Sequence, residues 1–281
     1  MMIFAVNFSG IGAVSTIEAH TVQSYDNNII RESCEAAQDA TLLAMQLYGQ
    51  KPEAEAYRKQ LLTAYYESRD RDFVILFNVG GWGTKKLPDS ADWTSIINGI
   101  QKDLTVAGRR VVTLNYQRTH DSLPGQLHEL KEMIHGYPEK ANSLAQLADF
   151  LTSHLPRITV ILAGESTGTI ICDNTMKLLK DNERVFSIQT GSPFWHKGIP
   201  AERTLLLNDN GIFPDSFSNG NIGEIVRSSL LSLIQLKKPE VKGEILGFIS
   251  APGHEYWWEA PGVSCQIERF LSSYFGIVPK T

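Results

Sequence analysis

The sequence predicts an α/β protein built on a mainly parallel sheet. Two observations carry that expectation. Short continuous apolar runs, such as FVILFNV (Phe73–Val79) and ITVILAG (Ile158–Gly164), read as strands buried on both faces. From Phe73 to Phe275 such runs alternate with longer stretches of helical spacing, the pattern of strand–helix–strand units.

In chain order, Met1–Tyr25 reads as one or two strands around a Gly10-Ile11-Gly12 turn. Asn28–Arg69 reads as helix, rich in Ala, Glu, Gln and Leu, with a break near Gly49–Pro52. After the Phe73 strand come a helix at Trp93–Ala107, a strand at Arg110–Tyr116 and an amphipathic helix at Ala141–Leu155. The Ile158 strand runs directly into a helix from Thr167 to about Lys180. Strands at Val185–Gly191 and Thr204–Asp209, a helix at Asn221–Leu236, a strand at Glu244–Ser250 and a helix at Pro261–Phe275 complete the chain.

Composition narrows the function classes. The chain has 281 residues, 42% of them apolar and 20% charged, enough for a large core and unlike a disordered chain, a collagen or a small disulfide scaffold. Its formal charge is −5 and its longest basic runs are pairs, which argues against sequence-independent nucleic-acid binding. No apolar run reaches the ~18–20 residues of a membrane span. The apolar start MMIFAVNFSGIGAVS has no basic residue ahead of it and suits a buried strand better than a signal peptide. Three cysteines (Cys34, Cys172, Cys265) without CxxC spacing suggest reduced, mostly buried thiols, no metal site and a cytoplasmic location.

In a parallel sheet, ligands sit at the carboxyl ends of the strands. After the Ile158 strand stands Gly164-Glu165-Ser166-Thr167-Gly168, a G-x-S-x-G pattern between a strand and a helix. A turn that sharp strains the serine backbone and exposes its hydroxyl above the sheet, with a helix N-terminus behind it. A serine needs a base. Of seven histidines, His254 lies between the last strand and the last helix, and His196 in GSPFWH is a plausible pocket residue. The base needs a carboxylate. Asp209 ends the Thr204 strand and sets the order Ser, Asp, His; Asp215, in FPDSF, is its competitor. For the oxyanion, the Thr167 N–H is one donor. The glycine-rich loop after the Phe73 strand (Val79-Gly80-Gly81-Trp82-Gly83-Thr84) supplies the other, with Gly81 ahead of Trp82.

Together these residues resemble the α/β-hydrolase superfamily over Phe73–Phe275. The resemblance implies an eight-stranded, mostly parallel sheet flanked by helices. It further implies Ser166 as nucleophile, His254 as general base and Asp209 as orienting acid. The chemistry implied is ester-type hydrolysis through an acyl-enzyme, without metal or organic cofactor. Val79 stands where many members carry His. Residues 28–69 form a helical insertion before the core strand at 73–79, in what is otherwise a single domain over 1–281.

Aromatic residues crowd the strand ends, with Trp82, Phe194, Trp195, Phe213 and Trp257 the candidate substrate contacts. They favour a small, partly apolar ester or thioester as partner; a homo-oligomer is compatible with the N-terminal helices. Two other classes compete. One is a hydrolase-fold protein without chemistry that serves as a binding or interaction module. The other is a nucleotide binder, for which Gly10-Ile11-Gly12 is a near-miss with Ser15 in the third small position; no P-loop motif is present.

Overall fold

The computed structural model describes residues 31–81, 86–116, 132, 135–198, 200–234 and 251–278. The strands expected at Met1–Tyr25 and Glu244–Ser250, and Trp82, lie outside these residues. The chain divides into two compact units, Met1–Thr63 and Ala64–Thr281.

The first unit contains helix α1 (residues 31–48) and the start of helix α2 (Pro52–Ser68), which runs across the unit boundary. The break falls where Gly49 and Pro52 are expected to stop one helix and begin the next. Tyr48 and Tyr57 meet edge to face there, with ring centroids 5.5 Å apart.

The second unit holds β1 (Phe73–Asn78), α3 (Ala91–Val106), β2 (Val111–Asn115), α4 (Pro138–His154), β3 (Thr159–Glu165) and α5 (Gly168–Leu178). They are followed by β4 (Val185–Thr190), β5 (Thr204–Leu207), α6 (Ile222–Ile234) and α7 (Pro261–Phe275). The strands form one parallel sheet in the order β2-β1-β3-β4-β5. This corrects the expected count of eight: the sheet has five strands among the described residues. Eight came from the family resemblance, whereas the described part of the chain holds only five apolar runs of strand type.

Burial follows sheet position. Central β1 and β4 are buried at every residue, while edge strand β2 is only partly covered. Alternate side chains divide between two faces. Phe73, Ile75 and Phe77 of β1, Ile161 of β3 and Phe186 and Ile188 of β4 join one core with Trp93, Ile96, Ile97 and Ile100 of α3 and Val263, Ile267 and Leu271 of α7. Helices α4 and α5 pack together against β3, and α5 also meets β1 and β4. No disulfide joins the three cysteines; Cys172 is buried, Cys265 half-buried and Cys34, contrary to expectation, exposed.

Topology locates the crevice. From β1 the chain steps outward to β2, then crosses back over β1 to β3 and continues to β4 and β5. The order therefore reverses between β1 and β3, and loops leaving their carboxyl ends part in opposite directions. Those two loops carry Gly80-Gly81 and Ser166.

Helix α3 depends on Gly99 for its seat. A Cβ there would lie 2.0 Å from the Trp258 ring, so Gly99→Ala is expected to cost about 1–3 kcal/mol in urea unfolding. An unchanged midpoint would mean that the ring is not seated against α3.

Candidate active site

Ser166 occupies the turn between β3 and α5 with φ +49°, a left-handed conformation that side-chain-bearing residues rarely adopt. The strand pulls it in on one side and the helix on the other. Its N–H donates to Thr190 O (2.9 Å), extending the β3–β4 ladder, and its carbonyl accepts from the Thr169 N–H (2.9 Å) and Thr169 Oγ1 (2.7 Å). Only glycine fits at position 168, because a Cβ there would stand 2.3 Å from Asn78 O at the end of β1. Ser166 is 6% exposed, and its hydroxyl makes no hydrogen bond among the described residues.

The loop after β1 closes over this turn. Thr167 Oγ1 donates to Gly81 O (3.0 Å), and a Cβ on Gly80 would lie 3.0 Å from Ser166 Cβ. Gly81 and Thr167, both expected as oxyanion donors, are thus brought together beside Ser166. Glu165 lies under the same loop, accepting the Gly80 N–H at Oε2 (3.0 Å) and lying 3.1 Å from Ser90 Oγ at Oε1. Burial first, and the nearby Asp92 charge second, push its carboxyl up to about 7.

His254 stands on the loop before α7 with Nδ1 2.8 Å from Asp215 Oδ2. This corrects the expected partner, Asp209. Strand β5 stops at Leu207, and Asp209 pairs in antiparallel fashion with Pro214, so the chain doubles back through a tight turn. Asp209 is left exposed, its Oδ1 accepting the Gly211 N–H within that turn. Asp215, just beyond the reversal, is 0% exposed and points inward. Its Oδ1 accepts the Phe217 and Ser218 N–H groups (2.8 and 3.1 Å). Its Oδ2 accepts Ser218 Oγ and Tyr256 Oη (both 2.7 Å) besides the imidazole. Burial alone would raise this carboxyl. The hydrogen bond and charge of His254, then the Tyr256 and Ser218 bonds, outweigh burial and hold it below the usual aspartate range. An ionised carboxylate only accepts, so Nδ1 carries the proton and Nε2 is the basic ring nitrogen. Burial, then the Asp215 charge, hold the Tyr256 phenol well above its ordinary value, so it remains a donor.

Asn210 locks the two loops together. Its Nδ2 donates to Glu255 O (2.9 Å), and its Oδ1 accepts the Ile212 and Phe213 N–H groups. Ser216 N donates to Pro252 O (3.0 Å) alongside. The imidazole then abuts Gly191, where a Cβ would lie 2.5 Å from Cε1. Ser166 and His254 therefore flank the same Thr190–Gly191 peptide, without a hydrogen bond between them.

Phe217 stacks edge-on to the His254 ring at 4.9 Å, Trp195 to Phe217 at 5.3 Å, and Phe194 to Trp195 at 5.0 Å. Of the expected substrate contacts, Phe194 and Trp195 thus reach the imidazole through Phe217. Phe213 lies on the exposed turn, and Trp257 packs against the core. His196 is used elsewhere: its Nε2 meets Asp173 Oδ2 of α5 at 2.9 Å, next to Lys177 Nζ at 2.8 Å. Among the described residues no group of three His, Cys, Asp or Glu stands close enough to hold a metal ion, and no helix is long and apolar enough to cross a membrane.

No family model matches the chain, and no curated protein matches it. Among solved structures it is similar to a Trichoderma reesei cutinase in complex with a C11Y4 phosphonate inhibitor. That similarity has 15% identity and a TM-score of 0.39, and covers 66% of this chain and 87% of the other. At that distance the site has to be read from its own geometry.

The Asp215 carboxyl lies low when folded, so its stabilisation is present above the unfolded aspartate's value of ~3.9 and is lost as pH falls through the lower folded value. Acid unfolding of Asp215→Asn is therefore expected to show a shallower acid limb than the parent. Equal limbs would show that the carboxylate is not ionised and bonded as described.

Proposed function

We propose that the chain is a serine hydrolase of the α/β-hydrolase type, cleaving a carboxylic ester or thioester of a small, partly apolar substrate through an acyl-enzyme. One observation carries the reading. A left-handed serine, its buried hydroxyl without a hydrogen bond among the described residues, is tied through its N–H to Thr190, and against the next residue, Gly191, lies an imidazole whose Nδ1 is held by a buried carboxylate. The roles assigned are Ser166 as nucleophile, His254 as base and Asp215, in place of Asp209, as orienting acid. The catalytic body is the α/β part of the chain, with 28–69 as a helical insertion before it, and a cytoplasmic location goes with the same reading.

In this mechanism His254 Nε2 takes the Ser166 proton as Oγ attacks the acyl carbon. Such contacts are often long without substrate and close when it binds. Charge gathering on the acyl oxygen is held by the Gly81 and Thr167 amides, at the start of helix α5. The imidazolium, stabilised by Asp215, returns its proton to the leaving oxygen or sulfur. Water, deprotonated by His254, then releases the acid and regenerates Ser166. Phe194, Trp195 and Phe217 offer apolar surface beside the imidazole for the acyl or leaving group. Trp82, Phe213 and Trp257 are secondary candidates for the same role.

A panel of p-nitrophenyl esters of rising chain length, beside acyl-CoA thioesters, tests this. Ser166→Ala and His254→Ala are expected to lower kcat by about 10³- to 10⁶-fold with the thermal midpoint unchanged. Asp215→Asn should be far more damaging than Asp209→Asn; the reverse order would return the acid role to Asp209. Because a protonated imidazole cannot accept the serine proton, kcat/KM should fall on acidification, and a flat profile would contradict a histidine base. No turnover of any ester or thioester would favour the binding-module reading.

A further inference from the structure

We infer that Glu165 is a positioning residue of this site: through one shared proton it ties the residue before Ser166 both to the oxyanion loop and to the first turn of α3. The inference rests on the hydrolase reading above and deepens it.

The geometry is a hydrogen-bond count that closes only when the two carboxyls beside Ser90 hold one proton between them. Ser90 Oγ, in a residue 6% exposed, lies 2.8 Å from Asp92 Oδ1 and 3.1 Å from Glu165 Oε1. A hydroxyl has one proton and serves one acceptor with it. With both carboxylates ionised, the second would meet an oxygen lone pair. With one proton added on Glu165, the run is complete: Glu165 O–H donates to Ser90 Oγ, Ser90 O–H donates to Asp92, and Gly80 N–H donates to Glu165 Oε2.

The added proton belongs on Glu165 and not on Asp92. Asp92 lies in the first turn of α3, where it accepts the Trp93 N–H at 2.8 Å and the helix dipole favours an anion. Glu165 ends the central strand. The titratable groups facing it are Asp92 from α3, which opposes its ionisation, and His254 from the loop before α7, which favours it. Burial and Asp92 outweigh the rest, and the carboxyl is neutral on the acid side of about 7.

The consequence reaches the chemistry through Gly80. That residue packs on Ser166 and precedes Gly81, so the Glu165–Gly80 bond sets how the loop approaches the nucleophile. An ionised Glu165 also places negative charge beside the point where oxyanion charge develops, and opposes it. Activity should therefore decline as Glu165 loses its proton. Stability follows the same sign: with the folded value above the usual 4.5, stabilisation is full below 4.5 and is lost as pH rises through about 7.

The test compares the full chain with Glu165→Gln and Glu165→Ala from about pH 5 to about pH 9. Two quantities are read: thermal midpoint, and the rate at which a fluorophosphonate labels Ser166. In labelling, the Ser166 oxygen–phosphorus bond forms, fluoride leaves, and His254 takes the serine proton. The amide of Gln reproduces the protonated carboxyl, with an N–H for Ser90 and a carbonyl for Gly80. The parent midpoint should fall with rising pH relative to Glu165→Gln, and only the parent should slow on the alkaline side. Glu165→Ala should label about 10-fold or more slowly at every pH, with Glu165→Gln recovering most of that loss. If the Ala variant does not fold, the parent against the Gln variant decides alone. Parallel curves for those two, with normal labelling of Ser166, overturn the inference and leave the hydrolase reading standing. A parent chain that takes no label overturns the hydrolase reading, and the inference with it.

Discussion

Asp215 is a charge with no access to water, and the arrangement around it exists to make that state tolerable. Removing a carboxylate from solvent costs several kcal/mol unless its oxygens are filled. Here five donors fill them: two backbone amides, the Ser218 hydroxyl, the Tyr256 phenol and the His254 imidazole. Each donor fixes a segment, so the loops after β5 and before α7 are held in one relation. Gly253, with φ +81° and no room for a side chain, since a Cβ would lie 2.4 Å from Pro214 O, lets them approach. The imidazole is thereby held in one orientation and one tautomer.

The same principle of fixing charge beforehand governs the other side of the crevice. Ser166 is held left-handed by a strand that cannot slide and a helix that begins two residues later. Beyond it, Trp93 Nε1 donates to Thr190 Oγ1 at 2.9 Å, pinning α3 to the strand that receives the Ser166 N–H. The order reversal between β1 and β3 then brings the Gly80-Gly81 loop against the Glu165–Thr167 turn. Rigid elements thus deliver these parts of the site, while Trp195, 45% exposed, lies on the surface.

Much of this was legible in the residues, and the exceptions share a cause. Apolar runs and helical spacing located β1, β3, β4 and α7 to within a residue or two, because period and burial are local properties. The turn at Ser166 was legible because strand, small residues and helix follow one another in sequence. Its place at a strand end favours Asp209 over Asp215 in sequence, but the antiparallel Asp209–Pro214 reversal carries the inward position six residues on. The one available hint was Asp215-Ser-Phe-Ser218, whose aspartate caps its own turn through the Phe217 and Ser218 amides. Tyr256 as donor to Asp215 and the Glu165–Ser90–Asp92 run had no sequence signal. They join residues 41 and 75 positions apart, plus a near neighbour, through folding alone. The count of eight strands follows from the family resemblance, whereas the described residues hold five strands.

The pairing of His254 with Asp215 is the claim on which the rest stands, and proton NMR of the imidazole tests it directly. In the parent chain and in Asp209→Asn, a strongly downfield Nδ1–H resonance of His254 should be present, since that proton is shared with a buried anion. In Asp215→Asn it should vanish. A resonance that survives Asp215→Asn, or that is lost in Asp209→Asn alone, would contradict the account.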